Sequence, residues 1–424
     1  MNLAWVSLLA LLMIILASHW ERVNVGVLAI AAAWMIGSYG AEMTAAEIFQ
    51  AFPISLFMVL FGVTFFFGLA QANGTLDRAV HSLFHCVRGR RSVLPLIFFA
   101  LSLVLAAIGP GNIGAVALLA PLAMAAAGKT GISAFFMTVM LVTGANAGTF
   151  SPFSPTGIIA DGLTARLGMA MDPWTQVFLP SLLVQSFIAF GCYVVLIELR
   201  RRRAFADPEF TGMETAVEPF NRHQAATVLM IGVFILGVTA MKMDIGFFAI
   251  GLAALLMLIG ASRGPDALKS VPWNVIMMVC GVSMLINIMG KTGGLDLFTT
   301  FLAKISNPRD VTGVIALISG IISVYSSSSG VVMPAFIPIV PGLIEKMGGG
   351  DPVALVAAIN VGSHVVDVSP LSTLGALCLA SAAKHEDKAG LFRRQFFFGL
   401  SMSLAGAVIC YVFFGALGRW FVIG

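Results

Sequence analysis

The chain has 424 residues, of which 59% are hydrophobic and only 10% charged, with a net charge of +4. A soluble domain carries about 25% charged residues, and mean hydropathy here is +0.97. A water-facing surface cannot be assembled from this composition, which excludes a soluble enzyme, a disordered tail and a nucleic-acid binder. The apolar stretches are long and lack the period-two alternation of a membrane barrel, so the class is a polytopic all-α membrane protein.

A bilayer core needs about 20 apolar residues per helix. In chain order, spans are expected near 3–18, 23–39, 54–73, 134–160, 175–197, 224–241, 245–260, 274–289, 353–383 and 396–417. Residues 3–18 lack a preceding basic stretch and a small-x-small cleavage site, so they are expected to be a span rather than a signal peptide. Two further apolar segments, 92–127 and 313–344, are interrupted by Gly109-Pro110-Gly111-Asn112 and Ser326-Ser327-Ser328-Ser329-Gly330. Their halves are short for a comfortable crossing, so both are expected to be re-entrant hairpins, with ordinary helix pairs as the alternative. The cysteines Cys86, Cys192, Cys280, Cys378 and Cys410 are odd in number and show no C-x-x-C. They are expected to be small buried residues rather than disulfide or zinc ligands.

Charge orients this chain. With the N-terminus outside and ten crossings, 17 of the 24 Lys and Arg residues fall in cytoplasmic loops. The other seven, Arg166, Lys242, Lys291, Lys304, Arg309, Lys346 and Arg419, fall outside. This asymmetry is what the positive-inside rule requires in a cell (inner) membrane, and it leaves both chain ends outside the cytoplasm.

The second half repeats the first at an offset near 219. Asn24-Val25-Gly26 matches Asp244-Ile245-Gly246, Pro53 matches Pro272, and Gly62-Val63 matches Gly281-Val282. Gly74-Thr75-Leu76-Asp77 matches Gly293-Gly294-Leu295-Asp296, and Pro121 matches Pro338. Ser151-Pro152-Phe153-Ser154 with Gly157 matches Ser369-Pro370-Leu371-Ser372 with Gly375. Each copy holds five crossings and one hairpin. Five is odd, so the second copy is inverted, an architecture of secondary transporters. Between the copies, Glu198–His223 carries Arg200 to Arg203 and then Asp207, Glu209, Glu214 and Glu218. It reads as a cytoplasmic linker with a basic topology anchor, or as a site for lipid headgroups.

Two symmetry-related pairs of breaks carry the chemistry. One pair is the hairpin tips; the other is GANAGTFSPFSPTG at 144–157 and GSHVVDVSPLSTLG at 362–375. Pro152, Pro155 and Pro370 interrupt the helical ladder. Non-helical backbone at membrane depth is tolerated only against protein or a wet cavity, so the four breaks are expected to meet at a cavity. They offer helix N-termini, which favour anions, unwound carbonyls, which suit a small cation, and no Lys or Arg. The substrate candidates are Gly111, Asn112, Ser151, Ser154, Thr156, Ser327, Ser328, Ser329, Gly330, Ser369, Ser372 and Thr373. The competing reading is that Ser, Gly and Pro merely allow close helix packing.

His364 and Asp367 are ionisable residues at membrane depth, which marks them as functional. Asp367 is open to three roles: cation ligand, proton carrier or helix cap. His364, the counterpart of Asn146, either ligates substrate, relays a proton or bonds a neighbouring helix. The coupling-ion candidates are Asn112, Asn146, Thr149, His364 and Asp367, with a metal site for Na+ at Asn112, Asn146 and Asp367. Asp77, Asp161 and Asp296 read as helix-end residues.

These motifs resemble the ion transporter superfamily, within it the divalent-anion/sodium symporters and the malonate-type dicarboxylate carriers. In the symporters each tip carries Ser-Asn-Thr with a proline nine residues after the Asn. Here Gly111-Asn112-Ile113 is followed by Pro121, and Ser328-Ser329-Gly330 by Pro338. The symporters' Thr-Pro-Pro-Asn-like stretch has its place at Ser151–Ser154 and Ser369–Ser372. The resemblance implies an elevator-type transporter built as a homodimer. Its scaffold would be 1–91 and 222–312, the linker 198–221, and the moving transport domain 92–197 and 313–424. Gly348-Gly349-Gly350 and the amphipathic stretch 75–91 would act as hinge arms. It also implies carboxylate at the tips and Na+ or H+ as coupling ion, with no other cofactor. The expected function is secondary transport of a small organic anion, most plausibly a dicarboxylate. Alternatives are a monocarboxylate, sulfonate or oxyanion, or a channel. An enzyme is not expected, since no metal-ligand spacing such as H-E-x-x-H occurs.

Overall fold

The computed structural model describes residues 2–17, 23–79, 89–90, 93–202, 209–210, 219–382 and 386–416. Several charge and loop assignments lie outside these residues, namely Arg22, Cys86, Arg88, Arg91, Arg203, Asp207, Glu214, Glu218, Lys384 and Arg419.

The first half runs α1 (Leu3–Ala17), α2 (Val25–Met35), α3 (Ala45–Gln50) and α4 (Ile54–Ala72). It continues with α5 (Leu94–Ala107), α6 (Gly111–Thr130), α7 (Ala134–Gly148), α8 (Pro155–Arg166) and α9 (Leu179–Arg202). The second half runs α10 (Arg222–Thr239), α11 (Ile245–Leu258), α12 (Gly264–Ser270), α13 (Trp273–Thr292) and α14 (Gly294–Ile305). It ends with α15 (Val311–Ser323), α16 (Met333–Phe336), α17 (Val340–Met347), α18 (Pro352–His364), α19 (Thr373–Ser381) and α20 (Lys388–Cys410). Among the described residues the one sheet is an antiparallel pair of two-residue strands, Gly89–Arg90 with Glu209–Phe210.

Among the described residues, seven helices are long and apolar enough to cross a membrane, and seven shorter apolar helices accompany them. Large apolar side chains line the exterior: Met13, Leu16, Phe187, Leu229, Leu258 and Leu404 are all more than half exposed. A soluble protein rarely leaves such a surface uncovered; here it is the lipid-facing belt.

Both interrupted segments fold as helix–tip–helix, but their limbs are unequal. In the first, α5 has 14 residues and α6 has 20, or about 21 and 30 Å of rise. The expectation that both halves are short is corrected for the second limbs, α6 and the apolar helix Ser328–Met347. That latter helix is segmented into π, α and 3-10 pieces, with Pro334, Pro338 and Pro341 along it. α7 stops at Gly148 and resumes at Pro155, running on to Arg166, six residues beyond the expected end. α18 stops at His364 and resumes as α19 at Thr373.

Helix contacts sort into two groups. In one, α2 packs on α13, and both α11 and α12 pack on α4. Glycine permits two of these approaches: a Cβ on Gly281 would overlap the Gly26 carbonyl, and one on Gly62 would crowd the Gly246 carbonyl. In the other group, α5, α6 and α9 pack on α7, while α15 and α20 pack on α18. The groups meet where α8 lies on α4, where the second tip lies on α13, and where α14 lies on α17.

Candidate functional site

Tip 1 turns on two glycines. Gly109 has φ +144° and Gly111 has φ +71°, both unfavourable for residues with a Cβ. A Cβ on Gly109 would also overlap the Phe67 ring of α4. The turn delivers Asn112 to the start of α6, where its Oδ1 accepts from the Ile113 N–H at 2.9 Å. This fixes the amide: Nδ2 points away and donates to Asn146 Oδ1 at 2.8 Å.

The two broken helices turn in the same way. Ser151 N–H bonds the Gly148 carbonyl, Ser154 N–H that of Ser151, and Gly157 N–H that of Thr149. Ser369, Ser372 and Gly375 repeat these bonds to Val366, Ser369 and Asp367, each 218 residues on. Cβ atoms on Gly157 and Gly375 would both strike the carbonyls of the turn they close. Thr149 and Asp367 therefore occupy corresponding places, as do Asn146 and His364.

These breaks join into one buried hydrogen-bonded chain. Asn146 Nδ2 donates to the His364 carbonyl at 2.8 Å and to Asp367 Oδ2 at 3.1 Å. Asp367 Oδ1 accepts from Ser328 Oγ of tip 2 at 2.9 Å and from Ser372 Oγ at 3.3 Å. On the other side, Thr149 Oγ1 accepts from the Asn112 N–H at 3.4 Å and donates to Thr156 Oγ1 at 3.0 Å. Both tips and both breaks are thus connected through Asn112, Asn146 and Asp367. His364 Nδ1 bonds the Asn360 carbonyl, its ring meets Phe150 edge-on with centroids 4.8 Å apart, and its buried Nε2 has no partner.

A cavity of about 250 Å³ opens beside this chain. Gly111, Asn112, Thr156 and Ser329 of the expected set line it. No Lys or Arg lines it. The other candidates lie elsewhere. Ser154 and Ser328 are buried behind the wall; Ser327 caps tip 2 by accepting from Gly330 N–H at 3.0 Å; and Gly330 is buried under Met278. Ser151 donates to the Ala107 carbonyl at the end of α5 and accepts from Phe153 N–H of its own turn, and Ser369 accepts from Leu371 N–H. Thr373 is exposed.

Sequence reasoning missed one wall of the cavity: Thr64, Phe67, Gly68 and Gln71 of α4, with Ser270, Pro272 and Val275. The available signal was Thr64 and Gln71, polar residues inside an apolar span.

Interrupted helices meet here beside a pocket lined mostly by apolar and small residues, with Thr64, Gln71, Asn112, Thr156, Ser270 and Ser329 as its polar side chains and no Lys or Arg. Residues 1–149 match the family model described as the N-terminus of the dicarboxylate carrier protein MatC, and residues 238–422 match that of the citrate transporter family. These are carriers, not enzymes. Among solved structures, the YdaH transporter of Alcanivorax borkumensis is similar, with a TM-score of 0.57 and 16% identity over 88% of this chain and 87% of that one. Against curated proteins, no sequence matches. The chain is thus similar to dicarboxylate carriers over residues 1–149 and to citrate transporters over residues 238–422, and it shares the fold of the YdaH transporter.

Proposed function

We propose that the chain is a secondary active transporter of a small dicarboxylate, coupled to Na+ or H+, that works by an elevator movement. The observation that carries this is the buried chain Asn112–Asn146–Asp367–Ser328 joining both tips beside a cavity without Lys or Arg. A substrate carboxylate there is held by the α6 N-terminus and by the polar groups of Asn112, Thr156 and Ser329. Helix dipoles and oriented N–H groups supply the positive potential. The cation that neutralises the guest binds along the Asn112, Asn146 and Asp367 side chains.

Inverted repeats are supported by the 218-residue correspondence of the two breaks and by reciprocal contacts. Gly26 of α2 lies on Met277 and Met278 of α13, while its counterpart Gly246 of α11 lies on Val59 of α4. The two packing groups support a scaffold of 1–91 and 222–312 and a moving part of 92–197 and 313–424. The proposal includes a homodimer in a cell membrane with both ends outside the cytoplasm.

The test is uptake of labelled malonate, succinate and citrate into proteoliposomes. Asn112→Ala and Ser329→Ala are expected to cut dicarboxylate uptake at least tenfold. Normal uptake by both variants would refute the site.

A further inference from the structure

Resting on the dicarboxylate reading, we propose that the preferred substrate carries an alkyl branch, and no hydroxyl, on the carbon body between its carboxylates. The residues that set this choice are Phe67, Ile113, Leu118, Ile159 and Val275 of the cavity wall.

The side-chain donors of the cavity fall into two sets. Asn112, Thr156 and Ser329 belong to the tips and the first break. Asn112 Nδ2 gives one proton to Asn146 and keeps the other. Thr156 Oγ1 accepts from Thr149 and keeps its own proton. The Ser329 hydroxyl bonds nothing among the described residues. These three donors suit the lone pairs of one carboxylate. The second set is Gln71 of α4 and Ser270 at the end of α12. A Cβ on Gly68 would lie 3.5 Å from Ser270 Cβ, so Ser270 stands against α4 about one turn before Gln71. Neither side chain has a bonding partner among the described residues, and together they are free to meet the second carboxylate. The sixth polar side chain, Thr64, spends its proton on the Leu60 carbonyl at 2.7 Å.

With two carboxylates served, no side-chain donor is left for a third. The carbon body faces an aromatic ring and four aliphatic side chains. A hydroxyl there gives up its water and gains little in return, whereas a methyl group gains burial. One methyl in an apolar pocket changes affinity by about tenfold or more. Citrate, which brings both a hydroxyl and a third carboxylate, is disfavoured on both counts.

The test is competition for uptake of labelled malonate and succinate into proteoliposomes. Two pairs of competitors differ only by a methyl or a hydroxyl on one carbon: methylmalonate against hydroxymalonate, and methylsuccinate against malate. The methyl member of each pair is expected to half-inhibit at no more than a tenth of the concentration its hydroxyl partner needs, and citrate to compete at least tenfold more weakly than methylsuccinate. A smaller ratio in both pairs, or citrate competing as well as methylsuccinate, overturns the proposal. Val275→Thr exchanges a wall methyl for a hydroxyl with little change of shape, and is expected to narrow the ratios at least threefold. Val275→Ala, which removes bulk without adding a hydroxyl, is expected to weaken the methyl members and leave the hydroxyl members no better. Equal gains by the hydroxyl members in both variants would overturn the role given to the wall. The wild-type comparison stands without either variant. Absence of any malonate or succinate uptake by wild type would instead overturn the transport reading itself.

Discussion

The two tips touch non-equivalent places on α4 and α13, and under the proposed elevator movement the difference predicts a stroke. Gly109 of tip 1 lies against Phe67 of α4, while Gly330 of tip 2 lies against Met278 of α13. By the repeat offset seen between Gly62 and Gly281, the counterpart of Phe67 is Ile286 and that of Met278 is Val59. By the offset between Pro121 and Pro338, the counterpart of Gly109 is Ser326 and that of Gly330 is Ile113. If the two copies exchange roles, as the proposed movement requires, Ile113 is expected to move to Val59 and Ser326 to Ile286 in the opposite conformation. The contact point is expected to shift eight residues along each helix, or about 12 Å at 1.5 Å per residue, read between tip residues four apart. The direction agrees with the proposed orientation, in which α4 and α13 run oppositely and both contact points shift toward the proposed extracytoplasmic side. A cysteine pair at Val59 and Ile113, in a background with the five native cysteines replaced, is expected to cross-link only in the opposite conformation. A disulfide needs Cα atoms within about 7 Å, so a 12 Å stroke separates the two states cleanly. The pair at Ile286 and Ser326 is expected to behave identically. Cross-linking of one pair without the other under every condition of substrate and gradient would refute the rigid slide.

Two further outcomes follow from particular contacts. Lys346 of α17 pairs with Asp296 of α14 at 2.6 Å, whereas among the described residues their counterparts Lys129 and Asp77 show no ion pair. Asp296→Asn is therefore expected to shift the conformational balance away from this state, by about two- to fivefold as befits a partly exposed pair, and Asp77→Asn, which would lose a pair made in the proposed opposite state, to shift it the other way. The yield of the Val59–Ile113 cross-link reads both, and equal shifts in one direction would contradict the alternation. Gly281→Ala is expected to cost about 1–3 kcal/mol through overpacking against the Gly26 backbone. Gly251→Ala, where a Cβ meets nothing within 4 Å, is expected to stay within about 0.5 kcal/mol. Thermal unfolding of the purified variants decides between them.

The helix positions and the four breaks were legible because lipid imposes a local rule: apolar length, and proline or glycine where the ladder must end. The pairing of Thr149 with Asp367 was legible too, since the turns at Ser151 and Ser369 are written in nearly the same residues. The roles of the hydroxyls were not. Ser151 and Ser369 look like binding groups in sequence, yet Ser151 donates to the Ala107 carbonyl at the end of α5 and accepts from the Phe153 N–H, and Ser369 accepts from the Leu371 N–H. Ser328, one residue from the cavity-lining Ser329, instead faces the buried carboxylate. Which of adjacent serines faces the pocket depends on the π-turn at Ser328–Val332, a local winding that composition does not encode.

The wall from α4 was invisible for a different reason. Thr64 donates to the Leu60 carbonyl within its own helix at 2.7 Å, the ordinary way for a threonine to hide in an apolar span. Only its distant contact with tip 1 places it at the cavity, and that contact depends on where the tip stands along α4. If the tips slide as proposed, the lining residues of one wall belong to a conformation rather than to the sequence. The opposite state is expected to present α13 residues around Ile286 in place of Phe67, so the cavity's fixed members are those the tips carry with them, Asn112 and Ser329.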